Sequence, residues 1–279
     1  MSEMDLFANL WGDYTSFNPE AKKLYDLILK KEQSIDPAIS NLKNDHIALR
    51  TLNVPKISLL QLAKIFENFG YIKAGDYQFP NKKLYAQHFE HLEKDLPKVF
   101  ISELEVEKFS PVLQKVAAEI ELAVPDLLVN DERILWSGRL WKADYLTYEK
   151  LLEESEYAAW FYAFGFRPNH FTISVNHLKS LTTLSELNDF VRQNGYILNE
   201  SGGEIKGSAE QLLEQSSTMA EKTIVDFIDG RQEIPACYYE FAKRYPIPDR
   251  ANGGSSGRLF SGFISTSADK IFESTDVSK

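Results

Sequence analysis

The sequence predicts an α+β protein of two β-α-β-β-β modules, each a half-barrel, with helices added before and between them. Two strands and one repeated tripeptide predict it. The stretch Asn169-His170-Phe171-Thr172-Ile173-Ser174-Val175-Asn176-His177-Leu178 alternates apolar and polar residues with the period of two that marks a strand. Phe171, Ile173 and Val175 take one face; His170, Thr172, Ser174 and Asn176 take the other. The earlier stretch Asn44–Thr51 echoes it, with His46, Ala48 and Arg50 opposite Ile47 and Leu49. Each strand leads to a helix-like segment that ends in Gly-Tyr-Ile, beginning 24 residues after His46 and 25 after His170. A matched offset of this kind supports duplication of one unit.

In chain order, residues 1–40 read as N-terminal helices. Leu6, Phe7, Leu10 and Trp11 recur at helical spacing, and Asn18-Pro19-Glu20 opens a second helix with Asn18 as cap and Pro19 in its first position. Module one, 41–105, holds the strand His46–Leu52 and a helix over Ile57–Phe69 that Gly70 stops. Strands over Tyr71–Phe79, Leu84–Phe89 and Lys98–Leu104 complete it. Residues 106–168 form a helical insertion, whose Trp136, Trp141 and Trp160 are read as packing residues. Module two, 169–245, continues from its first strand to a helix over Leu184–Asn194 and a strand over Tyr196–Asn199. A helical or irregular stretch at 208–220 follows, then a strand over Thr223–Phe227 and a long last strand over Ile234–Arg244. In 246–279, the composition of Ala251–Gly257 predicts a flexible loop, followed by an ordered strap.

All of this fits one domain of 279 residues. A hydrophobic content of 43% is that of an ordinary globular chain, and the net charge of −10 argues against a nucleic-acid partner, which needs concentrated Lys and Arg. No run approaches the roughly 18 apolar residues of a membrane span. The first residues lack a basic-then-apolar leader. A soluble, cytoplasmic protein with no membrane partner is expected. Cys237 is the only cysteine, which rules out an internal disulfide framework; it reads as a small buried hydrophobe.

The chemistry centres on His46 and His170, which occupy equivalent positions in the two first strands. Glu240 supplies a third donor: it is a lone carboxylate in the aromatic run Ala236–Ala242, and burying a carboxylate is costly without a cation. Two histidines and one carboxylate form the facial set of non-haem Fe(II) oxygenases. Zn²⁺ on the same donors suits a hydrolase or lyase, and a non-catalytic ligand-binding module is a third reading. Glu103, the repeat-related rival of Glu240, opens the cluster Glu103-x-Glu105-x-Glu107 and reads as solvated. His177 falls on the opposite strand face from His170, and His88 and His91 read as exposed. Arg50 lies four residues beyond His46 on the same face, about 13 Å along the strand. Its side chain can lean back as a bidentate carboxylate clamp, the role of a catalytic and substrate-binding arginine, or make a surface or structural salt bridge. Lys82 and Lys83 can serve a second carboxylate.

Several stretches together resemble the 2-oxoadipate dioxygenase/decarboxylase family, also called 2-hydroxyglutarate synthase. They are Asp45–Thr51, Tyr77-x-Phe79-Pro80-x-Lys82-Lys83-Leu84, Asn169–Thr172, Tyr239-Glu240-Phe241-Ala242-x-Arg244 and the closing Gly262–Ser274. The resemblance implies a vicinal-oxygen-chelate-like fold and an Fe(II) site on His46, His170 and Glu240. It places the substrate-carboxylate arginine at Arg50, and Ile264 and Ser265 become candidates for the substrate pocket. The implied reaction uses O₂ to convert 2-oxoadipate to 2-hydroxyglutarate and CO₂.

Overall fold

The computed structural model describes residues 2–249 and 254–275. It divides into two compact units. The first comprises the residues up to Asn18, with Ile47–His170 and Glu221–Cys237. The second comprises Pro19–His46, Phe171–Ala220 and the residues from Tyr238 on.

In chain order the elements begin with α1 (Glu3–Phe17) and α2 (Pro19–Gln33). Ser2 and Asp5 close a reciprocal capping box at the head of α1, satisfying N–H groups the helix itself leaves unpaired. Next come β1 (Asn44–Leu52), α3 (Leu59–Asn68), β2 (Ile72–Phe79), β3 (Leu84–Glu90) and β4 (Lys98–Leu104). Three helices follow: α4 (Pro111–Ala123), α5 (Tyr145–Glu154) and α6 (Glu156–Phe164). The chain then forms β5 (Pro168–Ser174), α7 (Leu184–Gln193), β6 (Lys206–Ser208), β7 (Leu213–Ser217), β8 (Lys222–Phe227), β9 (Gly230–Pro235) and β10 (Tyr238–Arg244). The last elements are β11 (Pro246–Asp249), β12 (Gly254–Leu259) and α8 (Ser265–Ile271).

Eight strands form a sheet in the order β2-β3-β4-β1-β5-β10-β7-β6. Among its first four strands β1 precedes the helix α3 and β2, β3 and β4 follow it; among its last four β5 precedes α7 and β6, β7 and β10 follow it. In each run the strand before the helix lies beside the final strand of its module, and the second and third strands lie outward. The hairpin β8–β9 is a separate two-stranded sheet spliced into the second run. The first unit buries Ile47, Leu49, Leu62, Phe66 and Ile101, and the second buries Phe171, Ile173, Leu187, Val191 and Phe241. Alternation on the strands and the i, i+3, i+4 stripes on α3 and α7 thus meet in apolar layers.

Five sequence expectations are corrected. The strand at 169–178 stops at Ser174 and becomes a 3₁₀ turn, Val175–His177. There the Asn176 side chain takes both backbone groups of Arg244, at 2.8 Å each, and so replaces ladder bonds. The stretch at 208–220 contains a strand, β7, because pairing with β10 overrides the local preference of Leu-Glu-Gln-Ser-Ser. Tyr196–Asn199 contributes only the bridge Leu198–Thr218. The long strand at Ile234–Arg244 breaks at Ala236-Cys237, where the Ala236 amide turns to the Glu221 carbonyl at 2.8 Å. In the expected flexible loop, 251–253 lie outside the described residues, while Gly254–Leu259 is β12, paired with β11. Among the described residues no helix is long and apolar enough to cross a membrane.

Candidate metal centre

Strand alternation and neighbouring side chains bring His46, His170 and Glu240 together. Their ligand atoms all lie within 4.8 Å of one another. The three residues are 2%, 4% and 0% exposed, so the donors face one another with little competing water. His46 Nε2 stands 3.5 Å from Glu240 Oε1.

Each histidine is steered by the residue before it. Asp45 Oδ1 lies 2.8 Å from His46 Nδ1, and Asn169 Oδ1 lies 3.1 Å from His170 Nδ1. An acceptor at Nδ1 holds the proton there and leaves the Nε2 lone pair for a ligand, the usual arrangement behind metal-bound imidazoles. Gln215 Nε2 donates to Glu240 Oε1 at 2.6 Å, so the carboxylate is oriented too. Thr172 Oγ1 lies 3.1 Å from His46 Nε2.

The local field favours positive charge. Burial alone would push the His46 imidazole down, but the Glu240 and Asp45 carboxylates outweigh it and raise its pKa. Burial likewise pushes the Asp45 carboxyl up, but Arg244 and His46 reverse this and hold it well below the usual carboxylate range. Two histidines and a dry carboxylate in this field fit a divalent cation.

The other predicted residues are placed as follows. Arg50 is buried on β1; its Nη1 donates to Glu156 Oε1 at 2.9 Å. Its guanidinium carbon lies 4.8 Å and 4.9 Å from the rings of Tyr157 and Trp160. The helical insertion therefore shapes the arginine through α6. Ser265 opens α8, with Ile264 as the cap residue before it. Lys83 sits in the β2–β3 turn, with Nζ donating to the Lys108 carbonyl at 2.7 Å and lying 4.2 Å from the Phe109 ring centre.

His88 is buried, against expectation, between the Tyr77 hydroxyl at 2.8 Å and Glu90 at 3.1 Å. Its strand puts it on the side of the sheet that Tyr77 and Phe100 cover, which the charged flanking sequence conceals. Glu103 is only partly solvated: it accepts the Leu59 N–H at 2.7 Å and so caps α3. Cys237 is buried as expected, and desolvation pushes its thiol up to about 12.

Sequence reasoning gave no role to Asp45, Asn169, Gln215, Arg244 or Phe263. Phe263 meets the His46 ring edge-on, with centroids 4.8 Å apart. Asp45 and Asn169 carried a signal, since each immediately precedes its histidine. Neighbours in a regular strand point to opposite faces, and this hid the contact.

Fold and site define an α+β protein in which one strand order occurs twice, with a buried His-His-Glu group of the kind that can hold a metal. The same fold recurs, at 20% identity and a TM-score of 0.65, in a "putative glyoxalase superfamily protein" of Ralstonia eutropha JMP134, matched over 80% of this chain and 75% of that one. The family model for 2-oxoadipate dioxygenase/decarboxylase matches residues 6–135 and 132–251. The 2-oxoadipate dioxygenase/decarboxylase of Oryza sativa subsp. japonica, chloroplastic/amyloplastic, is 36% identical over 97% of this chain and 78% of its own length. A crystal structure of the Oryza sativa hydroxyglutarate synthase with 2-oxoadipate is similar at a TM-score of 0.83 and 34% identity, over 98% of this chain and 92% of that one. A "putative hydrolase" of Shewanella frigidimarina NCIMB 400 is similar at 0.84 and 47% identity, over 95% and 98%. The chain belongs to the 2-oxoadipate dioxygenase/decarboxylase family.

Proposed function

We propose that this protein is an Fe(II)-dependent enzyme that converts 2-oxoadipate and O₂ to 2-hydroxyglutarate and CO₂. The carrying observation is the dry convergence of His46, His170 and Glu240. Atoms balance: CO₂ leaves with the two oxygens of the carboxylate it is cut from, and both oxygens of O₂ enter the hydroxy acid, one in its new carboxylate and one in its hydroxyl. When bound, Fe(II) supplies open coordination positions for the 2-oxo acid and the electrons that activate O₂.

The chain's own residues do the rest. Asp45 and Asn169 hold the Nδ1 side of each histidine and so aim its Nε2. Gln215 holds the Glu240 carboxylate in line. Arg50, pre-organised by Glu156, Tyr157 and Trp160, binds a substrate carboxylate through its guanidinium. Ser265, at the open end of α8, offers a hydroxyl to the same substrate. Cytoplasmic residence belongs to this reading and is checked by cell fractionation.

The test is O₂ consumption by anaerobically Fe(II)-loaded protein on adding 2-oxoadipate, with 2-oxoglutarate as comparison. Uptake matched by CO₂ and 2-hydroxyglutarate supports the assignment; no uptake with either acid by iron-loaded protein overturns it. One observation favours a second reading, the name carried by the Shewanella relative. Zn²⁺ on the same donors would serve hydrolysis, and turnover that needs zinc and no O₂ would select it.

A further inference from the structure

The motifs Asp45–Thr51 and Tyr239-x₄-Arg244 contain two charged residues, Asp45, which aims His46, and Arg244, which the proposed reaction leaves unused. Both are buried in the second unit. Arg244 Nε donates to Asp45 Oδ2 at 2.7 Å and Nη2 donates to Asp45 Oδ1 at 2.8 Å, a bidentate fork. Its remaining nitrogen, Nη1, donates to the carbonyls of Gly262 at 2.7 Å and Phe260 at 3.1 Å. The guanidinium also lies over the Phe263 ring, 5.1 Å from its centre. Asn176 pins the Arg244 backbone from both sides. One buried cation therefore grips two things: the carboxylate that orients His46, and the segment Phe260–Phe263 that leads into α8 and Ser265.

We infer that Arg244 is a positioning residue that couples seating of the Phe260–Phe263 segment to the orientation of His46. The inference rests on the metal reading of His46, His170 and Glu240. The physical reason is shared geometry. The fork holds Asp45 at the angle that His46 Nδ1 needs, and the same plane carries Nη1 to the two carbonyls. If the segment lifts, Arg244 loses two acceptors and its aromatic platform, and His46 loses the edge contact with Phe263. If Asp45 loses its charge, the fork weakens and the segment is released. Lysine in this position keeps the charge but offers a single point, and cannot bridge a carboxylate and two carbonyls at once.

The test uses Co²⁺ as the metal probe, with its visible spectrum reporting donor geometry, and trypsin cleavage after the exposed Arg258 as the report on the segment. Arg244→Lys and the near-isosteric Asp45→Asn are compared with the parent, each checked for folding by thermal unfolding; if one fails to fold, the other decides. Expected in both variants are Co²⁺ affinity lowered by about 10–100-fold, the cost typical of losing a ligand's hydrogen-bond partner, and an altered spectrum. Cleavage after Arg258 is expected to be faster in both. Parent-like affinity and spectrum, or parent-like cleavage, in a folded variant overturns the coupling. A parent protein that takes up no Co²⁺ refutes the metal reading instead, and so separates the two failures.

Discussion

Arg50 illustrates how much a single side chain is prepared before substrate arrives. Its charge is buried, and the cost of burial is offset by Glu156 and by the faces of Tyr157 and Trp160. Arg50→Lys should leave kcat within a few-fold and raise KM for 2-oxoadipate by about 10–100-fold, since a charge-assisted hydrogen bond carries about 1.5–3 kcal/mol. Steady-state O₂ uptake checks it. Lys206 makes a pH prediction. It is buried on β6, and desolvation, partly offset by Glu240, pushes its ammonium down to about 8. The unfolded chain holds that proton up to about pH 10.4, so between these values it binds more protons than the folded one. Stability relative to Lys206→Met should therefore rise with pH across this window, where the unfavourable buried charge is relieved, and level off above it. Denaturant unfolding of chelator-treated protein from pH 7 to 10.5 measures this.

Among the elements, α2 is tied down by one carboxylate. Glu32 is fully buried and accepts the backbone N–H groups of Lys179 at 2.6 Å and Ser180 at 3.0 Å. Glu32→Ala strands these donors and should cost about 1–3 kcal/mol in urea unfolding, without changing the metal centre. Helices and first strands were legible because their periodicity is local: the stripes on α3 and α7 and the alternation in β1 and β5 appear directly in the residues. The hairpin β6–β7 was not. It depends on Gly207, at φ +81°, where a Cβ would stand 2.1 Å from the Leu213 carbonyl oxygen. A glycine in a polar stretch announces a turn but not its partner. The β9–β10 break was equally hidden, since the Ala236 N–H donates to the carbonyl of a residue fifteen positions earlier.

For the whole molecule, metal and fold should be linked. A cation that binds only the folded chain stabilises it by RT ln(1 + [M]/Kd), about 2.7 kcal/mol at a hundredfold excess over Kd. Anaerobic Fe(II) should thus raise the unfolding temperature of the parent, and His46→Ala, His170→Ala or Glu240→Ala should abolish that rise together with O₂ uptake. A parent-sized rise in any of the three would remove that residue from the ligand set.

The sequence by itself determined the α+β class, the repeated module and the identity of three converging donors. The class, the repeat and the two histidines rest on short-range regularity: period two in strands, period 3.6 in helices, and near-equal offsets between copies; Glu240 stands out as a lone carboxylate in an aromatic run. Tertiary structure alone decided the environment of those donors. Asp45 stands 2.8 Å from its neighbour His46, and it stays ionised because His46 and Arg244, 199 residues away in sequence, both close on it. His88, expected exposed, is buried for the same reason. Burial and charge pairing are set by whichever side chains folding brings alongside, and no local pattern encodes that company.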